Sequence, residues 1–174
     1  MIQKMKLSDT NTQANDRACI KAVTSHYKKS GRHDLPWRRG FLAYEILVSE
    51  LMLQQTQVSR VISKYELWMK TYPTLAKLKK ASLTDILVIW QGLGYQRRAK
   101  ALYEIGQNYS SIPKTYNQLI DLPGIGPYTA SAIMAFAYDT FGHPLIETNI
   151  RTMLIEYFHI GKEACRHRHR LRLP

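Results

Sequence analysis

The segment Leu122 to Ala130, LPGIGPYTA, sets two glycines around one apolar residue, with Pro127 opening what reads as a helix. A turn of this kind between helices presents successive backbone N–H groups at a helix start. With the helix dipole behind them, those groups suit a phosphate oxygen. Contacts to phosphate hold a nucleic-acid backbone without reading its bases. For GxG alone, a tight helix–helix turn with glycines at positive φ is the simpler explanation, and the flanking LP and PYTA tip the reading toward phosphate. Two carboxylates also stand in informative places. Glu50 lies in LVSELMLQQ among Val48, Leu51, Met52 and Leu53, where burial would raise its pKa and favour the acid form. An exposed helical glutamate is the ordinary alternative. Glu147 immediately precedes the last predicted helix, where the N-terminus favours the ionised form, and simple capping is its ordinary role.

Composition narrows what such groups would act on. The chain has 174 residues, 45% hydrophobic and 22% charged, a balance that supports one folded domain with at most a small appendage and excludes a disordered chain. Lys plus Arg total 25 against 13 Asp plus Glu, for a net +12. Arg166, Arg168, Arg170 and Arg172 supply four of those charges, and +8 remains without them (12 − 4). That sign and size make nucleic acid the leading partner and an anionic membrane surface the competitor. No stretch approaches the roughly 20 apolar residues of a membrane span, and Met1 to Asp16 is polar, so the expectation is a cytoplasmic, nucleoid-associated protein. Cys19 and Cys165 stand almost a chain length apart, which excludes a disulfide framework and a cysteine metal cluster.

Apolar residues recur at helical spacing between Gly and Pro punctuation, so the fold reads as all-α. The stripes are Tyr44, Leu47, Val48, Leu51; Val58, Val61, Ile62, Tyr65, Trp68; Ala99, Leu102, Ile105, Tyr109; Ala130, Ile133, Met134, Ala137; and Ile150, Met153, Leu154, Tyr157. Ser82 with Asp85 reads as an N-cap ahead of Ile86, Leu87, Ile89 and Trp90, and Gly92 and Gly94 end that helix. About seven or eight helices follow, counting one from Arg17 to Lys29. The organisation predicted is a polar segment 1–16, a first helix in 17–34, a main helical body 35–146 containing a helix–turn–helix unit at 115–138, the start of a further lobe at 147–160, and a solvated basic tail at 161–174.

These residues resemble a family, the helix-hairpin-helix (HhH-GPD) DNA glycosylases, and within it the adenine glycosylases of the MutY type. The similarity runs from about Leu35 to Phe158 on LPWR (35–38), YEILVSELMLQQTQV (44–58), WQGLGY (90–95), LPGIGPYTASAI (122–133) and ETNIRT (147–152). It implies a base-flipping repair enzyme, a helical barrel beside a second helical lobe, that cuts a base from its deoxyribose. Base departure needs a proton on the base, and the oxocarbenium-like sugar left behind needs a nearby negative charge and a water. By this resemblance Glu50 is the proton donor and Glu147, where the family has Asp, the stabilising carboxylate. The extra methylene can move that carboxylate by about 1 Å, a misplacement that can cost on the order of 100-fold in rate. Trp37, Arg38, Tyr128 and Asn149 correspond to the base pocket. Tyr128 stands where endonuclease III-like enzymes carry a Schiff-base lysine, which favours a monofunctional, hydrolytic mechanism; Lys114 lies outside the motif. Gln54, Gln55 and Tyr95 correspond to the segments that fill the stack when a base is flipped, with Gln96 where the family often has a second aromatic. Gly124, Ile125, Gly126 and Thr129 form the DNA-binding hairpin, and Arg97, Arg98 and Lys100 would contact phosphates.

The family continues into helices carrying four cysteines that hold a four-iron four-sulfur cluster, and its long members add an 8-oxoguanine-reading domain. With two cysteines, this chain supports no cofactor and the cluster is expected to be absent. The expectation is a truncated homologue whose incomplete lobe exposes the apolar faces near Ile20, Val23 and Tyr27 and on the last helix, inviting a covering partner. The function implied is hydrolysis of the N-glycosidic bond of adenine opposite guanine or 8-oxoguanine in double-stranded DNA. The alternatives are a catalytically impaired DNA-binding remnant and an endonuclease III-like enzyme of other base specificity.

Overall fold

The structure, a computed structural model, describes residues 10–158, with side chains described over 16–157. Cys165 and the basic tail lie outside the described residues. Among the described residues every regular element is helical: α1 Thr10–Ser30, a 3-10 turn Pro36–Arg38, α2 Ala43–Leu53, α3 Val58–Thr71, α4 Leu75–Leu78, α5 Leu83–Trp90, α6 Arg97–Asn108, α7 Tyr116–Ile120, α8 Pro127–Tyr138 and α9 Thr148–Phe158. The chain divides into two compact units between Leu35 and Pro36. The first contains α1, which starts at Thr10 rather than at the expected Arg17. No described helix is long and apolar enough to cross a membrane.

In the second unit, α2 and α8 pack against each other most extensively, and α2 also meets α3 and α6. Both central helices are apolar on nearly all sides, the pattern of a helix enclosed by others rather than lying on a surface. In α2, Tyr44, Ile46, Leu47, Val48, Leu51 and Met52 are buried; in α8 the run Thr129 to Met134 is buried without a break. The outer helices are one-sided: α6 buries Ala99, Leu102 and Ile105, and α3 buries Val61, Tyr65 and Trp68. Trp68 meets Tyr72 and Trp90 edge-on at 5.3 and 5.9 Å. Its indole N–H donates to the Tyr44 hydroxyl at 3.0 Å, which in turn donates to the Tyr72 carbonyl at 2.8 Å, so the polar atoms buried with these rings are satisfied.

Local punctuation follows its chemistry. Ser82 caps α5, accepting the Asp85 N–H at 3.1 Å and donating to its carboxylate at 2.6 Å. Two short helices, α4 and α7, escape a reading based on stripes because each is about one turn long. Between α7 and α8, Gly124 sits at φ +74°, and a Cβ there would stand 2.8 Å from the Ala101 Cβ on α6. Gly124→Ala combines left-handed strain with that clash and is expected to cost about 2–3 kcal/mol of stability in urea unfolding.

Candidate active site

The C-terminal half of α2 turns Leu51 and Met52 into the core and leaves Glu50 part-buried on the adjoining side. Loss of water around the Glu50 carboxyl pushes its pKa up to about 7, so a large share is protonated at neutral pH. Glu147 sits in the opposite regime. It is the N-cap of α9: its carboxylate accepts the Ile150 N–H at 2.9 Å and the Asn149 side-chain amide at 3.2 Å, and its carbonyl accepts the Arg151 N–H at 2.8 Å. Hydrogen bonds from the backbone of Asn149, then from Ile150, the Asn149 side chain and Thr148, hold its pKa below the ordinary value.

Tyr128 lies within electrostatic reach of both carboxylates. It lies in the first turn of α8 and is 42% exposed. Its hydroxyl is pushed up to about 12, first by burial of its surroundings and then by the charges of Glu50 and Glu147. A single phenol therefore feels both carboxylates, one supplied by the middle of α2 and one by the start of α9. Glu50 is thus part-protonated near neutrality and Glu147 is held ionised, while the Tyr128 phenol that senses both is neutral. Asn149 belongs to this group through Glu147. Trp37 is half-buried against Tyr65 at 5.5 Å, edge-on, with Arg38 exposed at the end of the same 3-10 turn.

Two loops flank this cluster. Gln54 ends α2 and donates through its amide to the Thr129 hydroxyl at 3.5 Å, and Gln55 beyond it is exposed at φ +54°. After α5, Tyr95 is 53% exposed at φ +44°. Non-glycine residues in the left-handed region cost about 1–2 kcal/mol each and persist where surrounding contacts over-determine them. Here the contacts come from Arg98. Its guanidinium donates to the carbonyls of Leu51, Met52 and Gln54 on one side, and to Leu93, Gly94 and the Thr56 hydroxyl on the other. Arg97, by contrast, is exposed and lies 5.6 Å from the Tyr95 ring.

The structure places the remaining basic and hairpin residues as follows. Arg98 is 4% exposed with both terminal nitrogens committed to the protein, so it is a structural cation and not a phosphate contact. Lys100 pairs with Glu104 at 3.7 Å on the α6 surface. The Ile125 side chain is buried and its N–H donates to the Leu122 carbonyl at 3.2 Å. The N–H groups of Tyr128 and Thr129 have no carbonyl four residues back in α8 and are among those open to a phosphate. Gly126 precedes them as the N-cap, and the Thr129 side chain is itself buried. Arg98 was legible in one respect: it continues the α6 stripe of Leu102 and Ile105 at i, i+4 and i+7, a position for a buried side chain.

An iron–sulfur cluster takes four thiolates. Among the described residues the cysteine is Cys19 on α1, and no group of three or more His, Cys, Asp or Glu converges. These described residues do not fit such a cluster.

Comparison with known proteins places this geometry. Residues 48–169 match the HhH-GPD superfamily base excision DNA repair protein model. The adenine DNA glycosylase of Mycolicibacterium smegmatis is 43% identical over 139 residues, covering 76% of this chain and 47% of that protein. That of Mycobacterium tuberculosis is 41% identical over 164 residues, covering 91% and 50%. The human protein of the same name is 38% identical over 158 residues, covering 82% and 28%. The chain spans about half the length, or less, of these relatives. Among solved structures, a thermostable thymine-DNA glycosylase superposes with a TM-score of 0.77 at 22% identity, covering 87% of this chain and 74% of that one. An endonuclease III in a non-covalent DNA complex superposes at 0.65 and 19% identity, covering 84% and 68%. With that fold, with the hairpin between α7 and α8, and with relatives above 40% identity across most of its length, the chain belongs to the HhH-GPD superfamily of base excision DNA repair proteins.

Proposed function

We propose that this chain is the base-excising part of a monofunctional adenine DNA glycosylase acting on adenine opposite guanine or 8-oxoguanine in double-stranded DNA. The observation that carries the reading is the pair of oppositely tuned carboxylates, Glu50 and Glu147, both acting on Tyr128. The names of the relatives supply the base. Glu50 gives its proton to a ring nitrogen of the flipped adenine, and the glycosidic electron pair leaves with the base. Glu147 offsets the positive charge on the sugar; water adds at C1′, and the proton it loses restores Glu50. Tyr128, neutral at physiological pH, has no amine with which to form a Schiff base. The N–H groups at the start of α8 hold a phosphate, while Gln55 and Tyr95 enter the stack with Arg97 beside them. The apolar faces of α1 (Ile20, Val23, Tyr27) and α9 (Ile150, Met153, Tyr157) are exposed, and in this reading a partner covers them.

Single-turnover excision from duplexes carrying A opposite 8-oxoguanine, A opposite G and T opposite G tests the proposal. Adenine release with no borohydride-trapped protein–DNA adduct is the expected result. Release of thymine in preference to adenine would overturn the base assignment, and a trapped adduct would overturn the monofunctional mechanism. A second reading, DNA binding without excision, is favoured by one observation: both oxygens of the Glu147 carboxylate are already engaged by the first turn of α9. Salt-sensitive binding with no release from any duplex would establish it.

A further inference from the structure

The geometry points to Arg98 as a positioning residue that rivets the Gln54–Gln55 loop to the Gly94–Tyr95 loop, so that the two wedge residues enter DNA as one rigid unit. This inference rests on the reading of Gln55 and Tyr95 as the inserting side chains. One planar fork spans both loops. Nη1 donates to the carbonyls of Leu51 at 2.8 Å and Met52 at 3.0 Å, and to that of Gln54; Nη2 donates to Leu93 at 2.8 Å and Gly94 at 3.1 Å. Thr56 closes the seam, accepting from Nη2 at 3.1 Å with its one hydroxyl proton shared between the Gln54 and Leu93 carbonyls at 3.3 and 3.2 Å. The residues clamped, Gln54 and Gly94, each immediately precede a wedge residue held at positive φ.

The charge sits against the carboxyl end of α2, where unpaired carbonyls and the helix dipole favour a cation. Trp90 and Tyr95 lie on it, each ring centroid 5.5 Å from the guanidinium carbon. Tyr95 is thus held at its backbone through Gly94 and at its ring by the same side chain. A lysine ammonium in this place keeps the charge yet is a point donor, and it cannot face two loops as a planar fork does. The coupling between wedge residues is therefore a property of the guanidinium and not of the charge alone.

Fluorescence of 2-aminopurine placed beside a tetrahydrofuran abasic site opposite guanine reports unstacking without requiring base excision. Gln55→Ala, Tyr95→Ala and the double variant, all made in exposed positions, form a cycle on the apparent unstacking equilibrium. The expected double-variant loss falls short of the product of the single losses by about 5- to 100-fold, the signature of residues acting together. Independent, multiplicative losses would overturn the proposal. Arg98→Lys is expected to lower the unstacking equilibrium about tenfold or more while changing duplex affinity at low salt by less than about twofold, since phosphate contacts supply that affinity. Full unstacking by Arg98→Lys would overturn the proposal as well; if that variant does not fold, Thr56→Val, which removes the hydroxyl closing the seam, is expected to weaken the Gln55–Tyr95 coupling, and unchanged coupling would overturn the proposal. Intact, coupled unstacking without release of adenine from a mispaired duplex would sink the excision reading and leave the clamp standing.

Discussion

Glu50→Gln is expected to lower single-turnover adenine excision by about 10²- to 10⁴-fold, the range for removing a general acid, and at the same time to stabilise the protein at alkaline pH. Both effects have one cause. Burial on α2 lifts the Glu50 carboxyl from 4.5 to about 7, which readies it to give up a proton near neutrality and makes its ionised form unfavourable in the folded state. Because the folded pKa is raised, the stability linked to protonation is fully present below about pH 4.5 and is lost as the pH climbs through about 7. A shift of this size corresponds to on the order of 3 kcal/mol. Glutamine does not titrate, so the variant escapes that loss. Urea unfolding at pH 5 and pH 8 checks it: wild type and variant differ little at pH 5, and at pH 8 the variant is the more stable. Excision by the wild type is expected to hold up to about pH 7 and then to fall roughly tenfold per pH unit as the acid form disappears. A variant that excises at the wild-type rate would remove Glu50 from the chemistry.

Glu147→Gln is expected to cost about 10²- to 10³-fold in excision, the scale of losing a preorganised electrostatic partner for charge that develops in the transition state. Glu147→Asp tests position with the charge kept. Aspartate caps a helix as well as any residue, and its shorter arm draws the carboxylate back by about 1 Å, a displacement worth up to roughly 100-fold in rate. The resemblance read from the sequence implies aspartate at this position, so the expected direction is faster excision. A slower Glu147→Asp enzyme would show that α9 has adjusted to the longer side chain. The capping bonds from Asn149 and Ile150 give the pH dependence its sign. Since the folded pKa is lowered, the cap contributes above the ordinary glutamate value and is lost as pH falls through the lowered one. Thus Glu147→Gln weakens α9 near neutrality, whereas Glu50→Gln strengthens the fold, and circular dichroism melts at pH 7 separate the two.

The helices of the second unit were legible because their signals are local. The stripe of α6, the nearly all-apolar α2, the Ser82 cap with Asp85 and the glycine turn at Gly124 each arise from neighbours within a few residues. Membership in the superfamily was legible for a related reason: its motifs are short contiguous strings whose residues act within one turn or one helix. The one-turn helices α4 and α7 and the start of α1 at Thr10 were not, since a single turn has no period to read and helix ends depend on contacts beyond the local string. The raised pKa of Glu50 follows from which helices surround α2, and the influence of Glu50 and Glu147 on Tyr128 depends on α2, α8 and the start of α9 together. Arg98 makes the division plain. The basic character of RRAK at the start of α6 suggested phosphate contacts. Yet packing carries one of its arginines under Trp90, where carbonyls from two distant loops take up its donors. Residue types and spacing determined the helices and the chemistry available to the chain, while burial and long-range hydrogen bonding decided which of those groups bear charge, because desolvation and donor–acceptor reach depend on elements brought together only by the tertiary fold.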